Sequence, residues 1–154
     1  MIGLITNLHT DPSCLKSYDV WNSVLADKST VTQSGTNWTY SHTGSGALAI
    51  FPPNRVELMK LGRVVVIVYT ATNGLSVEVE NSTTLASGTT PSGATWKAAK
   101  INDSGDARSI YCRGEGSVTL KAMAVYEADA WPTVQQLLPK FPWFTGDTMP
   151  RQNN

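Results

Sequence analysis

Apolar and polar residues alternate with a period of two along much of this chain, the spacing of strands rather than helices. Leu75, Val77 and Val79 take every second position, with Ser76, Glu78 and Glu80 between them. Asn37-Trp-Thr-Tyr-Ser keeps the same rhythm and puts Trp38 and Tyr40 on one face. Residues 3–8, 29–34, 47–51, 95–101, 107–113 and 117–126 read as further strands. Residues 63–71 differ, because Val64 to Tyr69 is apolar without a break. Such a run predicts a central strand covered on both faces.

Turn chemistry separates these segments. Asp11-Pro12-Ser13, Ser34-Gly35, residues 43–46, Pro52-Pro53 and residues 114–116 interrupt the pattern. Asn73-Gly74 is the strongest hairpin signal. Residues 81–93, rich in Ser, Thr and Gly, read as a long loop. Residues 19–25 read as one short helical turn with Val20, Trp21, Val24 and Leu25 inward. Residues 129–138 predict a short helix: Asp129 caps it, Pro132 suits an early position, and Val134, Leu137 and Leu138 share a face. About eight or nine short strands with regular turns predict an all-β chain, an antiparallel β-sandwich or barrel.

The chain has 154 residues, room for one domain with a sizeable core. Twelve basic residues balance twelve acidic ones, with no basic run, so nothing points to nucleic acid. Charged residues make up 16%, against roughly 25% in an ordinary soluble domain. Ser, Thr, Gly and Asn fill the difference and favour strands and turns. No secretory leader is expected at the start, and the run 64–69 is too short to cross a bilayer. No membrane insertion is therefore expected. Cys14 and Cys112 match no metal or redox spacing and read as reduced, partly buried thiols; a disulfide between them is the alternative.

Signals for catalysis are sparse. His9 and His42 are the two histidines. They have no metal-ligand spacing and read as solvated loop residues. No nucleophile elbow is present. Glu57, Glu78, Glu80, Glu115 and Glu127 could supply a carboxylate pair, but Glu78 and Glu80 alternate outward as a solvated face. Asn102-Asp-Ser-Gly-Asp106 lacks the distal glutamate of a calcium loop and reads as a plain turn. No enzyme, metal or cofactor is expected. Sugar binding asks for a flat aromatic beside amide and hydroxyl groups. Asn37, Trp38 and Tyr40 are the candidates; filling the sandwich core is the other reading of the two aromatics. Trp21 and Trp96 read as core.

The final stretch stands apart. Trp131, Phe141, Trp143 and Phe144 lie among Pro132, Pro139, Pro142 and Pro150. Closely spaced prolines favour an extended arm, and large aromatics dominate interfaces. Residues 1–128 thus read as the sandwich domain and 129–154 as a C-terminal aromatic, Pro-rich arm. Trp131, Phe141, Trp143 and Phe144 are the expected subunit-interface residues; covering a sheet of the same subunit is the alternative.

Three segments carry a family resemblance. Leu4-Ile-Thr-Asn-Leu-His-Thr-Asp-Pro-Ser13 is similar to an opening strand leucine-valine-threonine-asparagine-proline-serine, with an insertion. Ala124-Val-Tyr-Glu127 is similar to an apolar-acidic last strand. Trp143-Phe-Thr-Gly-Asp-Thr-Met-Pro150 is similar to tyrosine-phenylalanine-aspartate-glycine-aspartate-threonine-proline, departing at Thr145 and by the inserted Met149. In these the chain resembles the β-sandwich domains of phage and prophage minor tail proteins, which look like jelly-roll carbohydrate-binding modules. The resemblance implies a jelly-roll-like sandwich and a structural virion role in the tail or tail tip, in assembly and host-surface contact. It further implies other virion subunits as partners and a symmetric homo-oligomer, a trimer by analogy with phage fibres. Host surface polysaccharide is the implied ligand if the module binds sugar. A carbohydrate-binding module and a capsid decoration protein are the alternative functions.

Overall fold

A computed structural model describes residues 7–103 and 108–137. Among these residues ten strands form two antiparallel sheets packed as a β-sandwich. The smaller sheet contains β1 (Asp19–Asn22), β4 (Ala47–Phe51), β6 (Ser76–Val79) and β9 (Ile110–Arg113), in the order β1-β4-β9-β6. The larger contains β2 (Lys28–Ser34), β3 (Asn37–Thr43), β5 (Val64–Ala71), β7 (Ser82–Thr89), β8 (Thr95–Ile101) and β10 (Gly116–Tyr126). Its order is β2-β3-β10-β5-β8-β7. Consecutive strands stay in one sheet at β2–β3 and β7–β8; every other connection crosses the sandwich.

Alternation explains the packing. Leu48 and Ile50 from β4, Val77 and Val79 from β6, and Ile110 and Cys112 from β9 face inward. They meet Val65 and Ile67 from β5 and Val118 and Leu120 from β10. The unbroken run in β5 has a second use. Its other residues, Val64, Val66 and Val68, join Ala98, Ala122, Ala124 and Tyr126 on the far face of the larger sheet. A single 3-10 turn (Ala128–Ala130) and helix α2 (Trp131–Leu137) cover that face with Val134, which is fully buried. The expected central strand and short helix are both present. Burying a valine of this kind stabilises by about 1.5–3 kcal/mol.

Four expectations change. Residues 19–25 are not helical: Asp19–Asn22 is strand β1, paired with β4 from Asp19↔Phe51 to Asn22↔Leu48. In a strand Val20 and Trp21 must point to opposite faces. Val20 packs on the core and Trp21 is 56% exposed, so Trp21 is not a core residue; Leu25 is wholly exposed in the following turn. Residues 82–89 form edge strand β7 rather than part of a long loop, because threonine-rich sequence suits a strand with little to bury. Asn73 and Gly74 both have positive φ, 56° and 71°, as the turn signal requires. Yet the chain leaves β5 for the other sheet, where β6 pairs with β9, so no hairpin forms. A short helix α1 (Arg55–Leu58), which the alternation does not signal, follows Pro52-Pro53.

Candidate functional site

Asn37, Trp38 and Tyr40 do not form a surface platform. Tyr40 is buried, and its hydroxyl accepts a hydrogen bond from the Tyr18 backbone N–H at 2.9 Å. Asn37 Nδ2 donates to the Ser13 carbonyl at 2.9 Å, and Trp38 Nε1 donates to the Leu15 carbonyl at 3.0 Å. All three hold the loop before β1 against β3. The core reading therefore holds for Tyr40, because β3 turns that face toward the other sheet.

The same loop contains a buried polar cluster. Asp11 accepts the backbone N–H groups of Leu15 and Lys16, both at 3.0 Å. The Tyr18 hydroxyl donates to Asp11 Oδ2 at 3.1 Å. A phenol has one hydrogen, so His9 Nε2, 2.9 Å away, must donate to it. His9 Nδ1 has no hydrogen-bond partner among the described residues. Burial lowers the His9 pKa to about 4, with the Asp11 charge opposing the shift. Burial likewise pushes the Cys14 thiol up to about 12. A thiol so buried and so weakly acidic is no nucleophile. The cluster ties the loop down.

His42 is buried as well, so neither histidine is a solvated loop residue. The sequence does not reveal this: His42 meets partners in other turns, and His9 meets Tyr18 only because their own loop folds back on itself. His42 Nδ1 donates to the Gly114 carbonyl at 2.7 Å, and Nε2 shares a proton with Asp27 Oδ2 at 2.9 Å. Asp27 also accepts the Gly46 N–H at 2.8 Å. Three turns are thereby pinned at one end of the sandwich. Gly44 sits beside Asp27 at φ +130°, where an added Cβ would overlap the carboxylate.

The outer face of the smaller sheet is mixed: Trp21 is exposed, while Ala47, Ala49 and Ser109 on the same face are buried. Strand register places Trp21, Ala49, Tyr111 and Glu78 in one row across its four strands. Trp21 and Tyr111 stand two strand spacings apart, about 10 Å, with the small Ala49 between them. The adjoining row has Asp19 beside Phe51, and Ser109 beside Glu80. The Arg55 guanidinium lies 4.3 Å over the Phe51 ring, and that of Arg113 lies 5.0 Å over Tyr111. Ser109 Oγ donates to Glu80 at 2.6 Å, while Arg113 Nε stands 3.8 Å from Glu78. Glu78, Val79, Glu80, Asn81, Ser82, Tyr111 and Arg113 line a hollow of about 210 Å³. A second, of about 470 Å³, adjoins Phe51 and Arg55.

Flat rings beside carboxylate, amide, hydroxyl and guanidinium groups can stack on the apolar face of a sugar and hydrogen-bond its rim. Asn37, Trp38 and Tyr40 are of the same residue types, but they are engaged with the loop before β1. Reading Val20 and Trp21 as alternating would have placed the indole outward.

Trp131 packs on its own subunit's larger sheet, against the buried group that includes Tyr126 and Val134. Phe141, Trp143 and Phe144 lie outside the described residues. The two cysteines are free and buried. Among the described residues, no group of three His, Cys, Asp or Glu side chains could hold a metal ion, and no helix is long and apolar enough to cross a membrane. No protein-family model, curated protein or solved structure matches the chain.

Proposed function

We propose that this protein is a non-catalytic structural component of a phage tail or tail tip, and that the outer face of its smaller sheet contacts polysaccharide on the host surface. The virion role follows from the resemblance of residues 4–13, 124–127 and 143–150 to minor tail proteins. The contact role follows from one observation: the exposed Trp21 and, two strands away, Tyr111 stand in one row with Glu78 on the outer face of the smaller sheet. Polar groups around the rings favour a polar ligand with apolar patches over an apolar one. The clusters at His9 and His42 are engaged in holding loops, which favours binding over catalysis.

The test is binding of the full-length chain to a panel of bacterial wall polysaccharides. Trp21→Ala and Tyr111→Ala should each weaken binding about tenfold, equivalent to about 1.4 kcal/mol, with no change in melting temperature. Trp38→Ala should lower the melting temperature instead. Equal binding by all three variants would count against the proposal.

A further inference from the structure

We infer that the edge of β2, unpaired among the described residues, is a homodimer interface, at which two copies pair β2 with β2 antiparallel about Val31 and join their larger sheets. This inference is independent of the polysaccharide reading. An edge strand presents unpaired backbone groups, and sequences usually blunt it with proline, charge or a bulge. The two edges of the larger sheet differ in this respect. β7 shifts register between Thr84 and Ala86, as a bulge does. β2 is regular for seven residues, from Lys28↔Thr43 to Ser34↔Asn37, with no proline and with its one charge at the end.

Register settles which groups are free. β2 and β3 are joined by a two-residue turn with Gly35 at φ 64°. Ser34 and Asn37 close it as a hydrogen-bonded pair, and bonded pairs alternate from there. Thr32 and Thr30 therefore bond to β3, while Ser29, Val31 and Gln33 direct their N–H and C=O groups outward. A two-fold axis at Val31 pairs Val31 with itself and Ser29 with Gln33, making about six backbone hydrogen bonds. Lys28 then faces Ser34, so no like charges meet. Thr30 faces Thr32 in the closer, non-bonded spacing, and both side chains are exposed.

Sedimentation velocity of the full-length chain over a concentration series tests the inference. The expected species has twice the 16.6 kDa mass of one chain. Thr30→Lys with Thr32→Lys sets like charges opposite each other twice and should weaken dimerisation about tenfold or more. Thr30→Lys with Thr32→Glu sets opposite charges together only in this register and should restore it. A monomer at every concentration overturns the inference, and so does a dimer that the double lysine leaves intact. Equal weakening by both variants overturns the register about Val31. Hydrogen exchange on the unmodified chain gives a reading free of any folding defect. The Val31 amide should gain protection as concentration rises, and a concentration-independent rate again overturns the inference.

Discussion

Replacing His9 by Gln should remove much of the pH dependence of stability between pH 6.5 and 4. His9 is 4% exposed, its Nε2 bonded to the Tyr18 hydroxyl. Burial holds its pKa at about 4 against 6.5 in an open chain. Above pH 6.5 the imidazole is neutral in both folded and unfolded states and contributes no pH dependence. As pH falls below 6.5 the unfolded chain takes up the proton first, so stability declines until the folded ring protonates near pH 4. That gap, at about 1.4 kcal/mol per pH unit, amounts to about 3 kcal/mol. Gln keeps an N–H donor for Tyr18 and does not titrate. The assay is urea unfolding of both proteins at pH 7, 5.5 and 4. Carboxylates contribute equally to both, so the difference isolates His9. The gap between the proteins should move in favour of the variant by about 3 kcal/mol between pH 7 and 4. Stability curves that stay parallel through this range would refute the buried, neutral imidazole.

Other expected outcomes rest on separate contacts. Asp27→Asn or His42→Ala breaks a buried hydrogen-bonded pair and should cost about 1–3 kcal/mol in denaturant unfolding. Gly44→Ala should destabilise by about 2 kcal/mol or more, because its Cβ would meet Asp27 and its φ is +130°; a neutral effect would show that the turn can move away. Val134→Ala should cost about 2 kcal/mol if α2 belongs to the folded body, and nothing if it is peripheral. Cys14 and Cys112, buried and with pKa values near 12, should resist a thiol reagent at pH 8 until the protein unfolds.

The strand content was legible wherever both faces of a segment had different tasks. β3, β4, β6, β8 and β10 could be drawn from alternation alone, and the doubly buried β5 from its unbroken apolar run. Where the two faces were alike the pattern was silent. β7 has almost nothing to bury, so its Ser and Thr residues resembled a loop. β1 is four residues long, too short for a period of two to stand out from a helical spacing. That ambiguity moved Trp21 from the surface into the expected core, and with it went the candidate site.

Local chemistry by itself determined most of the strands and the turn at Asn73-Gly74, because each depends on residues adjacent in the chain. Only the tertiary structure decided which sheet each strand joined. The Asn73-Gly74 turn is formed as written, yet it sends the chain across the sandwich, since pairing with β9 buries Val77 and Val79. The row Trp21, Ala49, Tyr111 and Glu78 likewise draws one residue from each of four strands far apart in sequence. The partners of His42 were hidden for the same reason. A side chain's face is set by its neighbours in sequence, but its company is set by strand order, and strand order is a property of the packed whole.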